Sequence, residues 1–351
     1  MNRHLVTFLV LGGLLLVVAA AAELLEIRLY DRIVTHMMIS AILVIGLQIF
    51  MGNSGILSFA HIGFMGVGAY TSAVLSIPER MKGMALPDLY PLLAGQELSP
   101  LLSIPAGALV AALVAAVISF PLMRLSDAAA VITSFALLVV LHTVLTHWSA
   151  VTNGPRTLFG IPEATTLWLA TACALGALVL ALLFRESRTG QLLRASRDDH
   201  VAAEALGAHI PYLRWIGFVA AALLAGLGGA LWGHFVTSFS PRAFYLKETF
   251  LVLSMLVIGG PNTVTGAVLG TLIVTAVYQS LRSLEGALNE SGIFSGQVIG
   301  LTEIVLALAM IAVLALRPGG LFPTREIGTL LLRRRQRAPD MDAGQQKGKS
   351  A

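Results

Sequence analysis

The stretch Leu101-Leu102-Ser103-Ile104-Pro105-Ala106-Gly107-Ala108-Leu109-Val110-Ala111-Ala112-Leu113-Val114-Ala115-Ala116-Val117-Ile118-Ser119-Phe120 contains no charged residue. At a helical rise of about 1.5 Å per residue it reaches about 30 Å, the thickness of a bilayer hydrocarbon core. Residues 5–22 and 297–316 are runs of the same kind, with at most one charge each. Across the 351 residues, 56% are hydrophobic and 12% are charged. A water-soluble chain carries about 25% charged residues, so this composition is too poor in charge to cover an aqueous surface. Backbone polar groups in lipid must be satisfied within the segment, which selects helices for these runs. The chain is therefore expected to be an all-α polytopic transmembrane helical bundle.

Ten candidate spans follow: 5–22, 33–51, 55–77, 101–120, 128–148, 165–184, 214–236, 249–260, 264–281 and 297–316. The eighth is too short to cross alone and joins the ninth through Gly259-Gly260-Pro261-Asn262, a cluster of helix breakers. With the N-terminus inside, fifteen Lys and Arg fall on the cytoplasmic side and eight outside. That asymmetry follows the positive-inside rule and places both termini in the cytoplasm. The net charge of +4 thus reads as topology rather than affinity for nucleic acid. Residues 5–22 exceed the length of a signal-peptide core and are expected to stay as the first span. The lone Cys173 can form no internal disulfide. The division expected is a transmembrane permease domain over 1–325, with a cytoplasmic loop at about 185–213, and a basic, disordered tail at 326–351.

Met51-Gly52-Asn53-Ser54-Gly55-Ile56-Leu57-Ser58-Phe59-Ala60-His61 opens an apolar span rich in small residues with a polar break. Asn53, Ser54, Ser58 and His61 either cap and satisfy the neighbouring backbone or line a path for a polar solute. Asn262, in the break before Val264, is a candidate of the same type. Interrupted segments in both halves of a chain are a mark of inverted-repeat transporters. In the 188–210 stretch, Leu192, Leu193, Ala203, Leu206 and Ile210 recur at partial helical spacing among charges. That pattern suits an amphipathic helix on the inner leaflet, or a docking helix whose small residues around Glu204 let it seat in a partner's groove. Gly344-Gln345-Gln346-Lys347-Gly348-Lys349-Ser350 imitates a phosphate-binding loop but is one residue short, and the sequence given stops too soon after it to form the helix.

Several of these stretches together resemble the branched-chain amino acid ABC-transporter permeases. They are residues 52–70, Asn153-Gly154-Pro155-Arg156-Thr157-Leu158-Phe159-Gly160-Ile161-Pro162, Glu204-Ala205-Leu206-Gly207, Val257-Ile258-Gly259-Gly260 and Arg317-Pro318-Gly319-Gly320-Leu321-Phe322. The resemblance covers about 30–325, and the 153–162 loop is similar to the LivM-type subunit. It implies an inner-membrane permease paired with a related second permease, two cytoplasmic ATPase subunits and a periplasmic substrate-binding protein. ATP and Mg would be bound by the ATPases, and no cofactor by this chain. Ala203, Glu204, Ala205 and Gly207 then match the ATPase-coupling loop. The implied cargo is leucine, isoleucine or valine, and related systems carry urea, short amides or aromatic acids.

Other classes find less in the residues. A proton-coupled secondary transporter needs a titratable relay, and Glu303 is the one carboxylate well inside a candidate span. An intramembrane enzyme or metal site needs clustered ligands, whereas His36, His61, His142 and His147 are scattered. The expectation is therefore a transport subunit that hydrolyses nothing itself and alternates access while partners hydrolyse ATP.

Overall fold

The computed structural model describes residues 3–125, 127–290, 300–317, 319–322 and 326–327. Fifteen α-helices run through them: α1 (Arg3–Leu24), α2 (Arg28–Ser54), α3 (His61–Ser76), α4 (Glu79–Ala85), α5 (Pro91–Ala94), α6 (Pro100–Leu122), α7 (Asp127–His147), α8 (Ser149–Thr152), α9 (Leu167–Glu186), α10 (Arg188–Asp198), α11 (His200–Ala205), α12 (Ile210–Val236), α13 (Leu246–Gly259), α14 (Val264–Glu290) and α15 (Leu301–Leu316). Among the described residues there is no strand, and one antiparallel bridge pairs Leu158 with Phe239. The all-α polytopic architecture read from the sequence is the one observed.

Ten of these helices follow the ten expected apolar segments. Seven of them (α1, α2, α6, α7, α9, α12 and α14) are long and apolar enough to cross a membrane. The other three, α3, α13 and α15, have 16, 14 and 16 residues. At about 1.5 Å per residue they fall short of a ~30 Å core.

Several boundaries differ from expectation for local reasons. The span expected at 55–77 begins only at His61. Gly55 takes a left-handed conformation (φ +74°) and closes α2 with its N–H on the Met51 carbonyl. The Ile56 N–H then bonds the Ser54 hydroxyl at 3.2 Å, which holds the chain out of the helix. The ninth segment runs on to Glu290 rather than 281. The 185–213 loop forms two helices, capped by the side chains of Ser187 and Asp199. The 326–351 tail, with the loop-like Gly344–Ser350 stretch, lies outside the described residues beyond Glu326 and Ile327.

Size, rather than polarity, sorts the faces of the helices. On α6 the buried side carries Ser103, Gly107, Ala108, Ala111, Ala115 and Ser119, while Leu109, Leu113 and Val117 are exposed. Lipid is as apolar as leucine, so small residues go to helix contacts where backbones approach closely. At the centre α12 packs against α2, α3 and α6. There Gly68 of α3 meets Gly226 of α12, and a Cβ at Gly68 would collide with the Gly226 backbone. α9 and then α1 flank α2; α13 and α14 form a hairpin, with α15 beside it.

Candidate functional site

The two interruptions found in the sequence, the polar break after Met51 and the Gly259-Gly260-Pro261-Asn262 cluster, fall between α2 and α3 and between α13 and α14, and they meet in the fold. Gly52 lies directly beneath the Pro261 carbonyl, where a Cβ would collide with that oxygen. The Gln48 amide also reaches the Pro261 carbonyl, at 3.5 Å. Arg197, from the last turn of α10, completes the junction. Its Nη1 donates to the Gly52 carbonyl and to the Asn262 side-chain oxygen, both at 2.8 Å. Arg194 Nη1 donates to Asn53 Oδ1 at 3.0 Å, while the Asn53 amide donates to the Ile49 carbonyl at 2.8 Å. Arg185, in the last turn of α9, donates to the Asn262 carbonyl at 3.1 Å and pairs with Glu326.

Glu326 is the countercharge of Arg185. It also accepts from the Val264 N–H (2.8 Å), the Thr265 N–H (3.2 Å) and the Thr265 hydroxyl, and so caps the N-terminus of α14. Arg185 is the guanidinium in contact with it. Burial first, and then the positive charge of Arg185 and Arg197, lowers the pKa of Arg194, while Glu186 and Glu326 oppose that shift. The guanidinium stays charged, so displacing any one bond leaves a strong donor seeking another acceptor.

The 188–207 segment projects from this junction. Leu193, Ala203, Ala208, Ile210 and Leu213 form a small apolar cluster of their own beneath it. Leu206, expected on the same apolar face, is instead 80% exposed, because α11 ends at Ala205 and Gly207 (φ +82°) turns the chain. Val201 is 76% exposed, and Glu204 and Ala205 are also exposed. Glu204 lies 3.8 Å from His200, one turn earlier on α11. Of the four residues matched to a coupling loop, only Ala203 is buried.

The remaining candidates point inward. The Ser54 hydroxyl donates to the Phe50 carbonyl at 2.7 Å. His61 is buried and its Nε2 donates to the Leu43 carbonyl of α2 at 3.0 Å. The Ser58 hydroxyl is buried with no hydrogen-bond partner among the described residues. The structure thus brings Asn53 and Asn262 together on the arginines and leaves Ser58 and His61 deeper, between α2 and α3. Among the described residues no group of His, Cys, Asp and Glu is arranged to hold a metal.

A family model for the branched-chain amino acid transport system permease component matches residues 29–314. The chain belongs to this family. Its relatives include the high-affinity branched-chain amino acid transport permease LivM of Salmonella typhimurium (26% identity, 88% of this chain, 73% of that protein). LivM of Escherichia coli K12 is 25% identical over the same shares. The nucleoside ABC transporter permease NupC of Lactococcus lactis is 26% identical over 36% of this chain and 38% of its own length. No solved structure matches. With its seven membrane-length helices, the chain is a multi-pass membrane protein.

Two of the stretches that carry the family resemblance pack on each other. The Leu321 N–H bonds the Ile258 carbonyl at 2.9 Å and the Phe322 N–H bonds the Gly259 carbonyl at 3.2 Å. Gly260, at φ +118°, sits so close to Gly320 that no side chain fits between them. The 153–162 stretch covers the opposite end of the bundle, through the Leu158–Phe239 bridge.

At that end lies a polar cluster that sequence reasoning missed. His234 of α12 is fully buried. Its Nδ1 donates to the Pro162 carbonyl at 2.9 Å, which leaves Nε2 to accept from Ser72 of α3 at 2.9 Å. Ser103 of α6 lies 3.3 Å from the same nitrogen and 3.1 Å from Ser72. One imidazole thus ties three helices to the family loop. The only sequence signal was a histidine near the end of an otherwise apolar run.

Proposed function

We propose that this chain is the permease subunit of an ATP-binding-cassette importer that moves branched-chain amino acids, or a similar small polar solute, across the inner membrane. Separate ATPase subunits supply the energy and bind ATP and Mg, a second related permease completes the membrane pair, and a periplasmic protein delivers the solute. Both termini lie in the cytoplasm. Membership of the family and the names of the LivM relatives support the substrate class. Partial likeness to LivH of Salmonella typhimurium, 30% identical over 33% of this chain, supports a paired second permease.

The observation that carries the reading is the single guanidinium of Arg197, bonded to both interrupted helices and rooted in the exposed 188–207 segment. A push on that segment would reach both breaks through one side chain. Ala203, Glu204, Ala205 and Gly207 are then the coupling residues, and Asn53, Ser54, Ser58, His61 and Asn262 lie where the moving breaks border the path. The test is uptake of labelled leucine into proteoliposomes holding the chain with its partner subunits and the loaded binding protein. Uptake that requires ATP and all the subunits is expected. Leucine uptake by this chain alone, driven by a proton gradient, would overturn the proposal.

A further inference from the structure

A cavity of about 250 Å³ lies between α13 and α15, against α14, away from the arginine junction. Its wall is apolar: Phe250 and Leu251 from α13, Leu306 and Met310 from α15. Lys247 and Glu303 also line it, and Lys247 Nζ pairs with Glu303 Oε1 at 2.7 Å. Glu303, the one carboxylate well inside a candidate span, stands in the first turn of α15. Lys247 stands in the first turn of α13, and the Lys247 and Glu303 side chains are 68% and 44% exposed.

We infer that this cavity is a subsite for a zwitterionic aliphatic α-amino acid; the inference rests on the reading of the chain as an amino-acid permease. Three features of the site match three features of such a ligand. The ammonium of Lys247 faces a carboxylate, the carboxylate of Glu303 faces an ammonium, and the aliphatic side chain enters the wall formed by Phe250, Leu251, Leu306 and Met310. Arg282 of α14 adds a second positive charge close enough to act on both, and a solute with one charge would still leave one side chain of the pair unpaired. An exposed ion pair is held weakly, so a ligand that supplies both opposite charges can open it at little cost. The cavity is small, which suits a single amino acid. Lys247 and Glu303 stand at the ends of their helices opposite the 188–207 segment, the side from which a delivery protein would release its cargo.

The experiment is equilibrium binding of tritiated leucine to the assembled complex in nanodiscs without the binding protein. Saturable binding is expected, with isovalerate and isopentylamine, which carry one charge each, competing about tenfold or more less well than leucine. Lys247→Met and Glu303→Gln should each weaken leucine binding about tenfold at an unchanged membrane level. Leu306→Trp, which fills the cavity, should exclude leucine more than alanine. The paired exchange Lys247→Glu with Glu303→Lys restores a structural ion pair but reverses the ligand's charges, so leucine binding should stay weak. Unchanged binding in both single variants, full recovery in the paired exchange, or no saturable binding by a complex that still imports leucine would overturn the subsite and leave the importer reading standing. A complete complex that imports no leucine with ATP would bring down both.

Discussion

Arg197 and Asn262, sixty-five positions apart in the chain, are joined by a 2.8 Å hydrogen bond from guanidinium Nη1 to side-chain oxygen. The same nitrogen bonds the Gly52 carbonyl. Each interruption leaves backbone groups that its own helix cannot satisfy. One cation in a third segment satisfies the Gly52 carbonyl at the first break and holds the Asn262 side chain at the second, so the breaks and that segment move together or lose bonds to a charged donor.

Arg197→Ala should therefore separate docking from movement. A hydrogen bond to a charged group contributes about 1.5–3 kcal/mol, and the partly exposed position of Arg197 puts it at the low end. The solubilised complex should melt earlier yet retain its ATPases, because the exposed residues of α11 are untouched. ATP-driven uptake should fall steeply. Arg197→Lys should recover only part of it, since an ammonium lacks the planar fork of a guanidinium. Wild-type uptake in the alanine variant would show that the junction transmits nothing.

The spans and both helix breaks were legible in the sequence, because apolar runs and Gly-Pro-Asn clusters act locally. Their meeting was not legible. Asn53 and Asn262 carry no mark of their shared neighbourhood, and Arg197 reads as one charge in a run until the fold carries it across. Leu206 misled for a different reason: helical spacing placed it with Leu193, Ala203 and Ile210, but Gly207 ends the periodicity one residue later. The pairing of Glu303 with Lys247 was not legible either, since fifty-six positions separate the two residues and only the fold sets the first turns of α13 and α15 side by side.

The central helix crossing gives a stability test. Gly68→Ala should be poorly tolerated, because its methyl would meet the Gly226 backbone, which cannot move aside as a side chain can. Overpacking of this kind costs about 1–3 kcal/mol or more. Gly176→Ala on α9 meets nothing within 4 Å and should be neutral. Thermal unfolding followed by size-exclusion chromatography in detergent distinguishes them. Equal melting of the two variants would refute the close α3–α12 approach.

The His234 cluster gives a proteolytic test. His234→Ala leaves the Ser72 and Ser103 hydroxyls without their imidazole and frees the Pro162 carbonyl. A buried group stripped of its partner costs about 1–3 kcal/mol. The 153–162 loop should then lift from α12, and trypsin should cut after the exposed Arg156 faster than in the parent chain. An unchanged cleavage rate at Arg156 would mean that the Leu158–Phe239 bridge alone holds the loop down.

The docking assignment is best tested at Leu206. Replacing Gly207 with a bulky residue confuses two effects, since φ is +82° there and any side chain with a Cβ strains the turn before a partner arrives. Leu206 and Val201 carry no such difficulty: both side chains project from the chain, so an aspartate at either site disturbs no packing. Exposed apolar side chains beside Glu204 are what a partner's groove would bury, and a desolvated carboxylate without a counter-ion opposes that burial strongly. Leu206→Asp should therefore reach the membrane in normal amount, melt like the parent chain, and fail to retain the ATPase subunits through detergent purification. Val201→Asp should do the same, and Glu204→Ala should give a milder loss if its carboxylate meets a donor on the partner. Recovery of the ATPases at parental yield with Leu206→Asp, together with preserved uptake, would show that the 188–207 segment is not where the energy enters.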